Sequence, residues 1–276
     1  MFTVLALLAR IVSNPLANML QKKNAEFNSS FAINLFTSFF MFVLISPFGF
    51  TINFFRFSCD FYILVFLSGF LCFLGTLCLI KALSLGEMSV LGPVNSYKSV
   101  IGLLGAFFIL GEIPSNKSII GFLIIIFASF LFQDENGRFL FNKSVVLRLS
   151  ALIFTGMEAV ILKKIILLSN PETCLFFWVV TSFMFSFLAA IIFKKTKIEN
   201  KKTIFDCLKI AILLLLMQYS TNYVFKHLEV GLSLSLFQLS NVIALIIGFK
   251  IFNEKNVLKK SIGTLLMLFG SILILK

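Results

Sequence analysis

The sequence predicts an all-α membrane protein of ten transmembrane helices, arranged as two inverted five-helix repeats. Three observations carry that expectation. The 276 residues are 59% apolar and only 13% charged, with a mean hydropathy of +1.02, whereas a soluble domain needs about 25% charged residues to cover its surface. The apolar residues run continuously instead of alternating every second position, which points to helices of about 20 residues and away from an outer-membrane barrel. Finally, the second half of the chain repeats polar and small residues of the first half in the same order.

Charged residues and Gly, Pro or Asn clusters divide the chain into ten apolar runs. The first, near residues 3–20, stops at Gln21-Lys22-Lys23-Asn24, and the second, 30–49, follows Asn28. Runs 61–82 and 88–110 are separated by a short Gly86 turn. Run 117–133 leads into a polar basic connection, after which 146–167 and 172–193 flank Asn170-Pro171. A second basic connection, Lys194 to Phe205, precedes 206–226, and 230–252 and 260–275 complete the set. Neither connection is long enough for a soluble domain. No P-loop is present, so an ATP-driven pump is excluded. The net charge of +12 sits mostly in loops, where cations anchor helices at headgroups, and no nucleic acid partner is implied. Cys59, Cys72, Cys78, Cys174 and Cys207 form no C-x-x-C pair and read as free thiols.

Sliding the chain by 145 residues sets Lys81, Leu83, Gly86 and Leu91 on Lys226, Leu228, Gly231 and Leu236. A shift of 143 sets Asn95, Lys98 and Gly105 on Gln238, Asn241 and Gly248, and one of 142 sets Glu112 and Gly121 on Glu254 and Gly263. The repeats are expected at 1–138 and 139–276. Because five is odd, the second copy enters the membrane in the opposite sense, a ground plan of secondary transporters.

Leu110-Gly111-Glu112 with Gly121, Lys81-Ala82-Leu83 before Gly86, and the echo in Asn253-Glu254 and Gly263 resemble the EamA-type branch of the drug/metabolite transporter superfamily. That resemblance implies a ten-helix carrier with a central cavity, moving small metabolites by alternating access. Two positions depart from the pattern: the first helix reads Arg10 to Pro15 instead of a Trp-Gly pair, and Asn253 stands in place of Gly.

An ionisable side chain near the bilayer centre costs at least about 2.5–3.5 kcal/mol on insertion scales, so it needs a partner, water or a function. Arg10, Lys98 and Glu158 lie at such depth, whereas Lys81, Lys226, Lys250 and Lys163-Lys164 lie near run ends and can snorkel. Helical spacing gathers further polar groups into stripes: Arg10, Asn14 and Asn18 beside Pro15; Asn95, Lys98, Gly102 and Gly105; Gln238, Asn241 and Gly248; and Gln218, Asn222 and Lys226. The glycines read as close packing. Lys98 pairs by symmetry with the neutral Asn241, and asymmetric charge in a symmetric cavity points to ligand recognition. An ion pair between Lys98 and Glu158 is the structural alternative.

The expected function is secondary transport of a small polar metabolite with a carboxylate or phosphate, such as an amino acid or organic anion, across the cytoplasmic membrane. Lys98 would bind the anion, Asn95, Asn14, Asn222, Gln238 and Asn241 would supply hydrogen bonds, and Arg10 would add positive field. Glu158 would couple to a proton or counter-substrate, or gate. Translocation of a lipid-linked or amphipathic anion is the alternative. No metal or organic cofactor is implied, and the state is monomer or homodimer. A single histidine, His227, and the absence of any nucleophile or metal motif argue against an enzyme. The Lys and Arg count puts the connections after runs 1, 3, 5, 7 and 9 in the cytoplasm and both termini outside, while the resemblance implies the reverse.

Overall fold

The computed structural model describes residues 2–101, 115–131, 142–198 and 200–274, and among them every regular element is helical. In chain order the helices are α1 (Phe2–Ala25), α2 (Ser30–Ile45), α3 (Cys59–Leu85), α4 (Met88–Val94), α5 (Asn116–Ser129), α6 (Lys143–Leu168), α7 (Pro171–Phe193), α8 (Lys201–His227), α9 (Val230–Leu236), α10 (Ser240–Ile251) and α11 (Val257–Leu273). Seven segments are long and apolar enough to cross a membrane: α1, α2 with the 3-10 turns that extend it to Thr51, α3, α6, α7, α8, and α9 together with α10. The described part of α5 is a shorter apolar helix. Leu110, Gly111, Glu112, Gly102 and Gly105 lie outside the described residues.

Short polar side chains start the long helices. Ser29, Ser58, Ser115, Asn142, Asn170 and Asn200 each accept a bond from a backbone N–H in the first turn that follows, satisfying donors that lipid cannot. The two seven-residue helices α4 and α9 are exceptions, since neither Glu87 nor Glu229 caps its own helix through its side chain.

Runs 88–110 and 230–252 were expected as continuous helices, and here the structure differs. Residues 95–96 form a turn between α4 and the helical residues 97–101, and a 3-10 turn at Phe237–Leu239 separates α9 from α10. Pro93 lies two residues before the first break, and the N–H it lacks is the one that would meet Ser89 O in a continuous helix.

The repeat is also in a different register from the 145-residue shift. Leu85 and His227 close α3 and α8, and Met88 and Val230 open α4 and α9, a spacing of 142 residues in both cases. Lys81 and Lys226 are therefore not equivalent. Instead, Lys22 donates to Gly86 O at 2.5 Å and Leu83 O at 3.5 Å beyond the end of α3, while Lys163 donates to Leu228 O at 3.2 Å and to Phe225 O at the end of α8. Each repeat thus uses a lysine to satisfy the last carbonyls of its third long helix.

The largest apolar core joins α3, α6, α7 and α8 through Phe61, Val65, Ile165, Trp178, Val179 and Ile210. Phe57, Phe61, Tyr62 and Phe177 stack or meet edge to face beside it. Helices α5 and α11 cross at Gly121 and Gly270, where a Cβ on Gly121 would lie 2.5 Å from Gly270 O. Asn253, at the position where the resemblance has Gly, adopts φ 51°, a left-handed conformation that Asn tolerates better than most residues.

Candidate functional site

The two broken helices face each other, and the polar residues at their breaks join across the gap. In an unbroken helix the Asn95 N–H would bond Leu91 O; here it turns to Gly92 O at 2.9 Å, followed by Ser96 N to Pro93 O and Lys98 N to Asn95 O. This tightening frees the Leu91 carbonyl at a depth where water is not at hand. Arg148, from α6, takes it: Nε donates to Leu91 O at 3.2 Å and Nη2 to Asn95 Oδ1 at 2.9 Å. Asn95 Nδ2 donates to Gln238 Oε1 at 2.9 Å, and Gln238 Nε2 reaches back one turn to Leu234 O at 2.7 Å. Asn241 Nδ2 donates to Ser96 Oγ at 3.0 Å and Gln238 Oε1 at 3.4 Å, and the Ser99 and Ser235 hydroxyls lie 3.3 Å apart. One network therefore ties the first half of the chain to the second.

The deep charges surround this network. Lys98 is half-buried and within electrostatic reach of Glu158, Arg10 and Arg148. Its amine makes no hydrogen bond or ion pair among the described residues, so the expected alternative, an ion pair with Glu158, is not formed. Glu158, 6% exposed, instead accepts a 2.6 Å bond from Trp178 Nε1, with the Cys72 thiol beside it. The Arg10 guanidinium stacks 4.9 Å from the centre of the Phe237 ring, at the break of the second half. Its Nε and Nη1 are buried without a hydrogen-bond partner among the described residues.

Not every expected residue joins this cluster. Asn222 is wholly buried, but it accepts from Gln218 Nε2 of its own helix at 2.9 Å and donates to Pro171 O at the start of α7 at 3.1 Å, so its Nδ2 holds α7 against α8. Asn14 is half-buried on α1, one turn beyond Arg10. The residue that sequence reasoning missed is Arg148. It is the third residue of run 146–167, the position of an interfacial anchor, yet it is only 7% exposed. The need it meets arises at Leu91 O, whose helical donor, the Asn95 N–H, turns to Gly92 O instead.

A second group of contacts lies where α3, α4, α10 and α11 meet. Glu254 accepts from the backbone N–H groups of Met88 and Ser89, both at 2.7 Å, and so supplies in trans the cap that α4 lacks. Glu87 and Lys260 form an ion pair beside it. Gly248 fits against Ser89 there, where a Cβ would come within 2.9 Å of the Ser89 backbone nitrogen.

Comparison with known proteins agrees with this architecture. The profile of the EamA-like transporter family matches residues 1–133 and again 142–276. A solved structure titled "Crystal structure of protein" superposes with a TM-score of 0.70 at 15% identity, covering 98% of this chain and 95% of its own, a likeness of fold. No curated protein matches the chain.

Proposed function

The chain belongs to the EamA-like transporter family, a membrane transporter family of the drug/metabolite transporter superfamily, and from that premise we propose that it moves a small anionic metabolite across the cytoplasmic membrane by alternating access. The observation that carries this reading is the charge inside the bundle. Arg10, Lys98 and Arg148 are gathered within electrostatic reach of Lys98, with Glu158 the carboxylate among them. Three cations against one carboxylate leave a formal excess of two positive charges, which an anionic carboxylate or phosphate balances. Lys98, whose amine has no hydrogen bond or ion pair among the described residues, anchors the anion; Asn95, Gln238 and Asn241 present amides beside it. The two repeats rock about the bonded breaks to expose the site to one side and then the other.

Glu158 is the coupling residue in this reading. Its bond from Trp178, the single Trp of the chain, makes its protonation state visible in indole fluorescence. A pH-dependent step in that fluorescence, abolished in Glu158→Gln, is the expected result; an unchanged titration in the variant removes Glu158 from the coupling.

The substrate class is tested by thermal unfolding of detergent-purified protein against anionic, zwitterionic, cationic and neutral metabolites. A ligand at 100 times its Kd stabilises the folded state by about 2.7 kcal/mol. Anions are expected to raise the unfolding temperature, and Lys98→Ala to suppress the shift. Stabilisation by cations or neutral compounds alone ends the anion reading, and a requirement for an acyl tail redirects it to a lipid-linked anion.

A further inference from the structure

Helix α1 carries an unusual set of side chains. Among the described residues, Arg10 Nε and Nη1, Ser13 Oγ, Asn18 Oδ1 and Gln21 Oε1 are all buried without a hydrogen-bond partner. Ser13 and Gln21 are 2% and 1% exposed. Buried polar groups in folded proteins are nearly always paired, and within a bilayer an orphan is dearer still. Four such residues on one helix therefore need a common explanation.

Their spacing supplies it. At 100° per residue, positions 10, 13, 18 and 21 fall on one side of α1, together with the half-buried Asn14. Pro15, on the same helix, removes the N–H that would bond Ile11 O. From Arg10 to Gln21 the stripe is about 17 Å long at 1.5 Å per residue, roughly half of a 30 Å hydrocarbon core. Its inner end is Arg10, in reach of Lys98. Its outer end is next to Lys22, the lysine that holds Gly86 O. Ser89 Oγ, fully buried at the start of α4 beside the Glu254 carboxylate, is orphaned as well. The flanking side of α1 is different in kind: Leu16 and Met19 pack on Met88, Ala244 and Ile247.

We propose that this side of α1 lines a hydrated half-passage from the Lys22 end of the bundle to its middle, and that Arg10 is the group that receives an anion there. The unpartnered oxygens and amides exchange hydrogen bonds with water or with the travelling solute, and the Phe237 ring holds the guanidinium in place through its π face. The occupant is an anionic solute, a statement that rests on the proposed function; the wetness of the passage does not.

Charge-selective thiol labelling tests both parts. In a full-length variant with the five native cysteines replaced, single cysteines are placed at Ser13, Asn18 and Gln21 and, as controls, at Leu16 and Met19. Membrane-impermeant methanethiosulfonates bearing either a sulfonate or a trimethylammonium group are added to each side of sealed vesicles. Folding of every variant is checked by Trp178 fluorescence, and Asn18→Cys replaces Ser13→Cys in the readout if the latter fails that check. The expected result is reaction at the stripe positions from the Lys22 side, none at the controls, and a sulfonate preference of about tenfold near Arg10, in the range that focused fields produce. Arg10→Gln brings that preference to about one. Stripe cysteines as inert as the controls, or a preference that survives Arg10→Gln, overturn the inference. Failure to transport anions with the labelling pattern intact sinks the proposed substrate instead and leaves the passage standing.

Discussion

Arg148 and Arg10 are two guanidinium groups in the same bundle, both within electrostatic reach of Lys98, and they are treated in opposite ways. Arg148 spends its donors on the Leu91 carbonyl freed at the 95–96 turn and on Asn95; Arg10 has a ring beneath it and two nitrogens without a hydrogen-bond partner among the described residues. The first cation is part of the frame, and the second is the one that the proposal above gives to a ligand. Burial alone does not identify a binding residue; the balance of partners does.

The sharpest way to break this contrast is to remove each arginine in turn. Arg148→Ala leaves Leu91 O and Asn95 Oδ1 without their donor in the interior and is expected to cost about 1–3 kcal/mol of stability, the range for leaving a buried polar group unpaired. Arg148→Lys recovers little, because an ammonium lacks the fixed fork that serves both acceptors. Arg10→Gln is expected to unfold within about 1 kcal/mol of the parent while losing the stabilisation by anions. Equal losses of stability for both variants, measured by thermal unfolding, would falsify the division of roles.

Smaller effects sharpen the comparison at the joints between the repeats. Glu254→Gln keeps one of the two acceptors that cap α4, so a loss of about 1–2 kcal/mol is expected, together with faster thiol labelling at Gln21→Cys as the end of the bundle loosens. Gln238→Leu removes bonds to Asn95, Asn241 and Leu234 O; interhelical bonds in membranes contribute about 0.6–1.7 kcal/mol, and the unfolding temperature should fall accordingly. Lys22→Ala and Lys163→Ala are expected to cost the least, about 0.3–1 kcal/mol each, the strength of a cation at a helix C-terminus. Their losses should match, since each lysine does the same task in its own repeat.

The long helices were legible because hydrocarbon demands continuous apolar runs, and the repeat was legible because Asn95 and Gln238, or Gly121 and Gly263, still resemble each other. Other features were hidden for physical reasons. The break at Phe237–Leu239 has no proline to announce it; a glutamine side chain reaches back to the carbonyl one turn before it. Arg148 resembled a headgroup anchor because depth cannot be read from position in a run when a neighbouring helix bends toward it. The 145-residue register followed identical letters, Lys81 and Lys226, whereas the equivalent lysines are 22 and 163, matched by the carbonyls they hold. Of the expected site residues, Asn95, Gln238 and Asn241 meet in one network, while Asn222 lies apart from it, bonded to Gln218 and to Pro171 O at the start of α7.

The Asn95–Gln238 bond has a mechanical consequence. It fastens the two broken helices at their joints, so in the alternating access proposed above it would act as a fulcrum with a lever on either side. When one arm of such a lever swings outward the other swings inward, and the fulcrum itself stays still. Spin labels near the two ends of α4 and α10 should therefore change separation in opposite directions as the carrier cycles, while a pair flanking residues 95 and 238 keeps one distance throughout.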